Sequence, residues 1–122
     1  MIRRRRKYNA QACRCSHDHR HDSRLESARC ETLHLLMRAK EELYGGRIVA
    51  IENQPTLELR VNGVLVCKYR PDFGLTVENS LDPVYEDAKG FETDVFRIKR
   101  KLYDALHPGN PLRVVKQTKP WP

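Results

Sequence analysis

Between Arg47 and Gly90 the sequence leaves little room for helix. The segments "RIVAIENQPTLELRV", "GVLVCKYRPDF", "GLTVEN" and "PVYEDAKG" are short, rich in β-branched residues and broken by Pro, Gly and Asn. Such runs read as strands, and Asn62-Gly63 between two of them is a hairpin signal. An antiparallel meander of three or four strands is expected. A helix stands on each side of it. From Ser23 to about Tyr44, Leu25, Ala28, Leu33, Leu36 and Met37 fall largely on one helical stripe, and Gly45-Gly46 stops the run. Thr93 can cap a second helix to about Leu106, with Val95, Ile98, Leu102 and Ala105 toward the sheet and the basic residues toward water. After His107-Pro108-Gly109, "LRVVK" supplies a last strand. The expected order is α-β-β-β-α-β, an α/β fold whose mixed sheet is flanked by helices.

A chain of 122 residues builds one such domain, since two would each lack a stable core. The pattern divides it into a basic arm at residues 1–11, a domain at 12–116 and a tail at 117–122. The net charge of +7 is concentrated in "RRRRK" (Arg3, Arg4, Arg5, Arg6, Lys7) and "RIKRK" (Arg97 to Lys101). Dense positive charge points first to nucleic acid, with Arg97, Lys99, Arg100 and Lys101 candidates for the DNA backbone. The alternative is a solvated face that keeps the protein dissolved. No apolar run approaches the ~18 residues of a membrane span, and polar residues follow the basic N-terminus where a signal peptide would carry its apolar core. A soluble, cytoplasmic protein is expected, with no membrane partner. Its cysteines, Cys13, Cys15, Cys30 and Cys67, then read as thiols or metal ligands before disulfides.

The candidate chemistry lies in "YRPDFGLTVENSLDPVYEDAKGF", residues 69–91. Side chains alternate along a strand, so Asp87 and Lys89 point the same way if residues 84–89 are extended. If the strand carrying Asp72 pairs with this one, the two carboxylates converge. Paired hard oxygen ligands suit Mg²⁺ or Mn²⁺, ions that keep several waters and bind substrate phosphates. Such an ion lowers the pKa of a bound water, while Lys89 can hold that water and offset growing negative charge. By itself, an aspartate followed by Asp-x-Lys is a chance arrangement in many polar proteins.

The surroundings add more. Tyr69-Arg70-Pro71-Asp72-Phe73 followed by Glu86-Asp87-Ala88-Lys89-Gly90 resembles the two core motifs of the PD-(D/E)XK nuclease superfamily, and Glu26 in "DSRLESARCETLHLL" matches its helical acid. The run "DSRLESAR", "IENQPTLEL", "VNGVLVCKYRPDF", "YEDAKGFETDVFRIKRKLY", "LRVV" looks like a phage family of unknown function assigned to that superfamily. The motif layout is similar to Holliday junction resolvases of the endonuclease I type. The resemblance covers residues 22–116. It implies a restriction-endonuclease-like core, with Asp72, Asp87, Glu26 and the Ala88 carbonyl as ligands of one or two divalent ions and Lys89 positioning water. It further implies hydrolysis of DNA phosphodiesters, branched DNA as the foremost substrate, and a homodimer, since symmetric cutting of a junction needs two sites. Duplex cutting or nicking is the alternative target. A non-catalytic, zinc-stabilised DNA-binding protein is the alternative class.

Two features admit a second explanation. Ser23-Arg24-Leu25-Glu26 is also a capping box, which needs Glu26 in the same first turn. In "CRCSHDHRHDS", Cys13, Cys15, His17, His19 and His21 alternate, so an extended chain would set them on one face. Cys30 could close a structural Zn²⁺ site there. Otherwise the run is a polar edge, with Cys30 and Cys67 as small core residues. Glu86 should point away from Asp87. Gln54, before Pro55, reads as structural.

Overall fold

The computed structural model describes residues 13–14, 20–21 and 23–116, the first two pairs by backbone alone. Helix α1 spans Arg24–Ala39 and starts where the sequence places it. Ser23 is extended, and its Oγ accepts the Glu26 N–H at 3.1 Å. The helix ends a turn earlier than expected. Lys40 turns left-handed (φ 58°), and its N–H bonds back to the Leu36 and Met37 carbonyls. Beyond it, Glu42–Leu43 (β3) folds antiparallel onto Gly46–Asn53 (β4). Tyr44 (φ 57°) and Gly45 (φ 89°) fill the two positive-φ positions of a tight hairpin turn. Gly45-Gly46 thus makes a hairpin, where the sequence reading took it for a helix stop.

The remaining strands are β5 Leu57–Val61, β6 Val64–Tyr69, β7 Phe73–Val77, β8 Val84–Ala88 and β9 Arg113–Val115, with α2, Asp94–Leu106, between the last two. Strands β1 (Cys13–Arg14) and β2 (Arg20–His21) pair antiparallel ahead of α1. The main sheet runs β3-β4-β7-β8-β9, antiparallel except for the β8–β9 pair, whose parallel crossover is α2. The fold is mixed α/β, as expected, but the α-β-β-β-α-β order is not what is found: six strands separate the helices, and among the described residues two more precede α1. Gln54 (φ 52°) and Pro55 break the long extended run, so β5 and β6 leave the sheet as their own hairpin. Its turn is Asn62-Gly63 (φ 50° and 81°), as the sequence indicates.

The sheet separates two apolar clusters. On one face, α1 contributes Cys30, Leu33 and Leu36 against Ile48, Phe73, Leu75, Val77 and Val84. On the other, α2 contributes Phe96 and Tyr103 against Leu59, Tyr69 and Leu112, with Tyr85 and Val114 partly buried beside them. Val84 and Tyr85 lie in different clusters, which fixes the alternation along β8: Val84, Glu86 and Ala88 toward α1, Tyr85, Asp87 and Lys89 toward α2. The expected inward stripe of α2 is displaced by one residue. Val95 and Ile98 are 63% and 67% exposed, Ala105 is exposed and Leu102 half-buried, while Phe96 and Tyr103 face the sheet. Two aromatic side chains remove more apolar area from water than Val, Ile and Ala, so they set the helix rotation.

Candidate active site

The last registered pair between β7 and β8 is Phe73 with Glu86. Continuing that register sets Asp72 opposite Asp87 and Pro71 opposite Ala88. Proline has no N–H to continue the ladder, so the strand pair opens there. The freed groups turn to the acids. The Asp72 N–H donates to Asp87 Oδ1 at 3.2 Å, and the Ala88 N–H donates to Asp72 Oδ2 at 2.8 Å. Each aspartate is thereby held by the other's strand. Gln54 contributes from the third side, its N–H reaching the Asp72 carbonyl at 2.8 Å while its Oε1 accepts from Arg70 at 2.6 Å. Both aspartates are buried, 4% and 1% exposed.

Lys89 completes the group that the sequence brings together. Its Nζ stands 3.9 Å from Asp87 Oδ1 and 4.9 Å from the centre of the Phe96 ring, and its backbone N–H bonds the Val115 carbonyl at 3.0 Å. Two acids, a cation and a strand end that Pro71 cannot pair are the chemical content of the site. Asp72 and Asp87 offer hard oxygen donors on one face of the sheet, and the Ala88 backbone lies beside Asp72.

The opposite face carries a lock that sequence reasoning missed. Arg29 and Glu86, both fully buried, form a two-pronged pair: Nε to Oε1 at 2.6 Å and Nη2 to Oε2 at 2.9 Å. The Tyr44 hydroxyl donates to Glu86 Oε2 at 2.6 Å, and Arg113 stacks on the Tyr44 ring at 4.8 Å. Burial works to lower the Arg29 pKa, but the Glu86 bond and charge, followed by Tyr44, more than offset it and leave it raised. Burial, then the charge and bond of Glu86, push the Tyr44 hydroxyl well above its ordinary value. The available signal was Arg29 within α1's buried stripe, between Glu26 and Leu33: a cation there needs a buried acid. As expected, Glu86 points away from Asp87.

Glu26 is buried in the first turn of α1, the helix packed on the Glu86 face. Its backbone N–H donates to the Ser23 Oγ, which is half of the capping box. Among the described residues, no three His, Cys, Asp or Glu side chains come together as a metal-holding group. Cys30 is buried in the α1 cluster, with the Asn53 amide 4.0 Å from its sulfur. Cys13 and His21 occupy facing register positions in β1 and β2; their side chains, like Cys15, His17 and His19, lie outside the described residues. So do Arg3, Arg4, Arg5, Arg6 and Lys7. Arg97 and Lys101 are exposed on α2, Arg97 with Asp94 at 3.5 Å. Arg100 reaches Glu92 at 3.5 Å and Asp104 at 4.0 Å, and Lys99 bonds the Lys68 carbonyl at 2.9 Å.

The fold and site thus define a mixed α/β domain with an acid pair and a lysine where one strand pair opens. A family described as "Protein of unknown function (DUF1064)" matches residues 5–119, and the chain belongs to that family. No curated protein and no solved structure matches it. Among the described residues no helix is long and apolar enough to cross a membrane.

Proposed function

We propose that this protein is a divalent-metal-dependent endodeoxyribonuclease with a restriction-endonuclease-like core of the PD-(D/E)XK type. The observation that carries the reading is the reciprocal bonding of Asp72 and Asp87 beside Lys89, at the strand end that Pro71 leaves open. The donor set fits Mg²⁺ or Mn²⁺: these ions are held by one or two carboxylates and keep sites for water and substrate phosphate. Asp72 and Asp87, with the Ala88 carbonyl, would hold the ion. When bound, it supplies a water of lowered pKa and charge stabilisation on the phosphate. The two aspartates arrive already oriented by backbone N–H groups, so little ordering is left to binding. Lys89 orients the attacking water and offsets the charge that grows on the phosphate oxygens. Glu26 enters as a further acid. Glu26→Gln removes its charge and keeps its hydrogen-bonding reach, so activity lost at unchanged stability assigns it to the ion, whereas lost stability alone assigns it to the helix start.

Basic residues Arg97, Arg100 and Lys101, with Arg3 to Lys7, supply the DNA backbone contacts in this reading. Branched DNA is the proposed substrate and a homodimer the proposed form, both by analogy of motif layout with junction resolvases. The test is cleavage of a synthetic four-way junction, linear duplex and single strand, each with Mg²⁺, Mn²⁺ or EDTA, with the Asp87→Asn protein in parallel. Paired cuts near the branch that need metal and vanish in the variant are expected. Intact DNA under every condition, from protein that still binds it, would overturn the nuclease reading. Metal-dependent cutting of linear duplex as fast as the junction would keep the chemistry and discard the junction preference.

A further inference from the structure

We infer that Phe96 is a positioning residue for Lys89: its ring holds the ammonium in place beside Asp87 without neutralising it. The Lys89 ammonium lies 4.9 Å from the ring centre, within the range where the negative face of an aromatic ring attracts a cation. The lysine side chain is 15% exposed, so this attraction acts where water screens it little. Asp87 Oδ1 stands 3.9 Å from the same ammonium, longer than a close hydrogen-bonded ion pair.

The ring is itself fixed from two directions. Phe96 is 6% exposed and sits in the first turn of α2, where its N–H donates to Thr93 Oγ1 at 2.9 Å. The Tyr69 ring packs against it, with centroids 6.4 Å apart and planes at 50°. Tyr69 stands three residues before Asp72, so both partners of the ring are tied to the elements that carry the site. A lysine chain has four rotatable bonds and loses much of its rotamer freedom when fixed. An aromatic face offsets part of that loss in advance.

The choice of a ring has a chemical consequence. A carboxylate in Phe96's place would fix the lysine more strongly, but it would cancel the positive charge that a phosphate group needs beside it. It would also compete with Asp72 and Asp87 for a divalent ion. A benzyl ring does neither: it attracts the cation by its quadrupole and leaves the net charge at the site unchanged. The one-residue rotation of α2 that turns Val95 and Ile98 outward is what brings this ring under Lys89.

The kinetic half of the test rests on the nuclease reading; the spectroscopic half does not. In the full-length protein, carbon–proton NMR of the Lys89 ε-methylene should show the upfield ring-current displacement of a group above an aromatic face. Phe96→Leu should abolish it, and Phe96→Trp should keep it. On cleaved DNA, Phe96→Leu should lower kcat by about tenfold, with KM within about twofold of the native value, and Phe96→Trp should restore most of the loss. Native Lys89 resonances at ordinary shifts, or a folded Phe96→Leu protein with native kcat, would overturn the inference. Should Phe96→Leu fail to fold, the native spectrum and the Phe96→Trp protein still decide it. Should the native protein cut no DNA, a displaced Lys89 signal that survives only with an aromatic residue at 96 upholds the positioning while the nuclease reading falls.

Discussion

Arg29 and Glu86 carry the sharpest residue-scale prediction. Removing Arg29 leaves the buried Glu86 without its counter-charge, so Arg29→Met should cost about 3–5 kcal/mol in denaturant unfolding. The double variant Arg29→Met/Glu86→Leu should recover much of that, because two apolar side chains need no partner. A single variant with native stability would show that the pair is not closed in solution. Tyr44 gives a pH dependence of definite sign. Its folded pKa lies above the ordinary 10.0, so the stability it contributes is complete below that pH and is lost as pH rises through the raised value. The melting temperature should therefore fall as pH rises above about 10, and less steeply in Tyr44→Phe. Tyr85 and Tyr103, also raised by burial, leave part of the slope in place. Equal slopes in the two proteins would remove Tyr44 from the account. Asp72, Asp87 and Lys89 were legible in the sequence because strand alternation and motif order suffice to place them. Arg29–Glu86 was not: an ion pair between residues 29 and 86 needs the three-dimensional fold to become visible.

Among elements, α2 shows what the sequence leaves open. Its limits and its Thr93 cap follow from local chemistry and are found as read. Its rotation follows from which side chains win the competition for the sheet, and a stripe of Val95, Ile98, Leu102 and Ala105 is as periodic as one of Phe96 and Tyr103. Thr93→Ala should cost about 1 kcal/mol through the lost cap, and in the nuclease reading should also lower kcat, since the cap fixes Phe96. Unchanged kcat at reduced stability would separate the two roles. The β3–β4 hairpin depends on Gly46 for a different reason. A Cβ at Gly46 would stand 2.5 Å from the Glu78 carbonyl oxygen, a backbone atom with little freedom to retreat. Gly46→Ala should destabilise by about 1–3 kcal/mol, measured by denaturant midpoint. The reading of Gly45-Gly46 as a helix stop failed because glycine pairs end helices and turn hairpins alike; Glu42–Leu43 pairing with Gly46-Arg47 decided it.

At the scale of the whole molecule, the net charge of +7 predicts DNA affinity that falls steeply with salt. Fluorescence anisotropy across a salt series should give a linear loss of log affinity against log salt, with a shallower slope in an Arg97→Ala/Lys101→Ala protein. An affinity indifferent to salt would exclude phosphate contacts as its source. The mixed sheet has a consequence in time as well as in space. Lys89 is fixed through the Val115 carbonyl, and β8 gains its parallel neighbour from β9, the last of the described strands. During synthesis, Asp72, Asp87 and Lys89 all emerge before the strand that finishes their sheet. An unfinished chain would hold the charged groups without the geometry, and on the nuclease reading it would stay harmless until its β9 had left the ribosome.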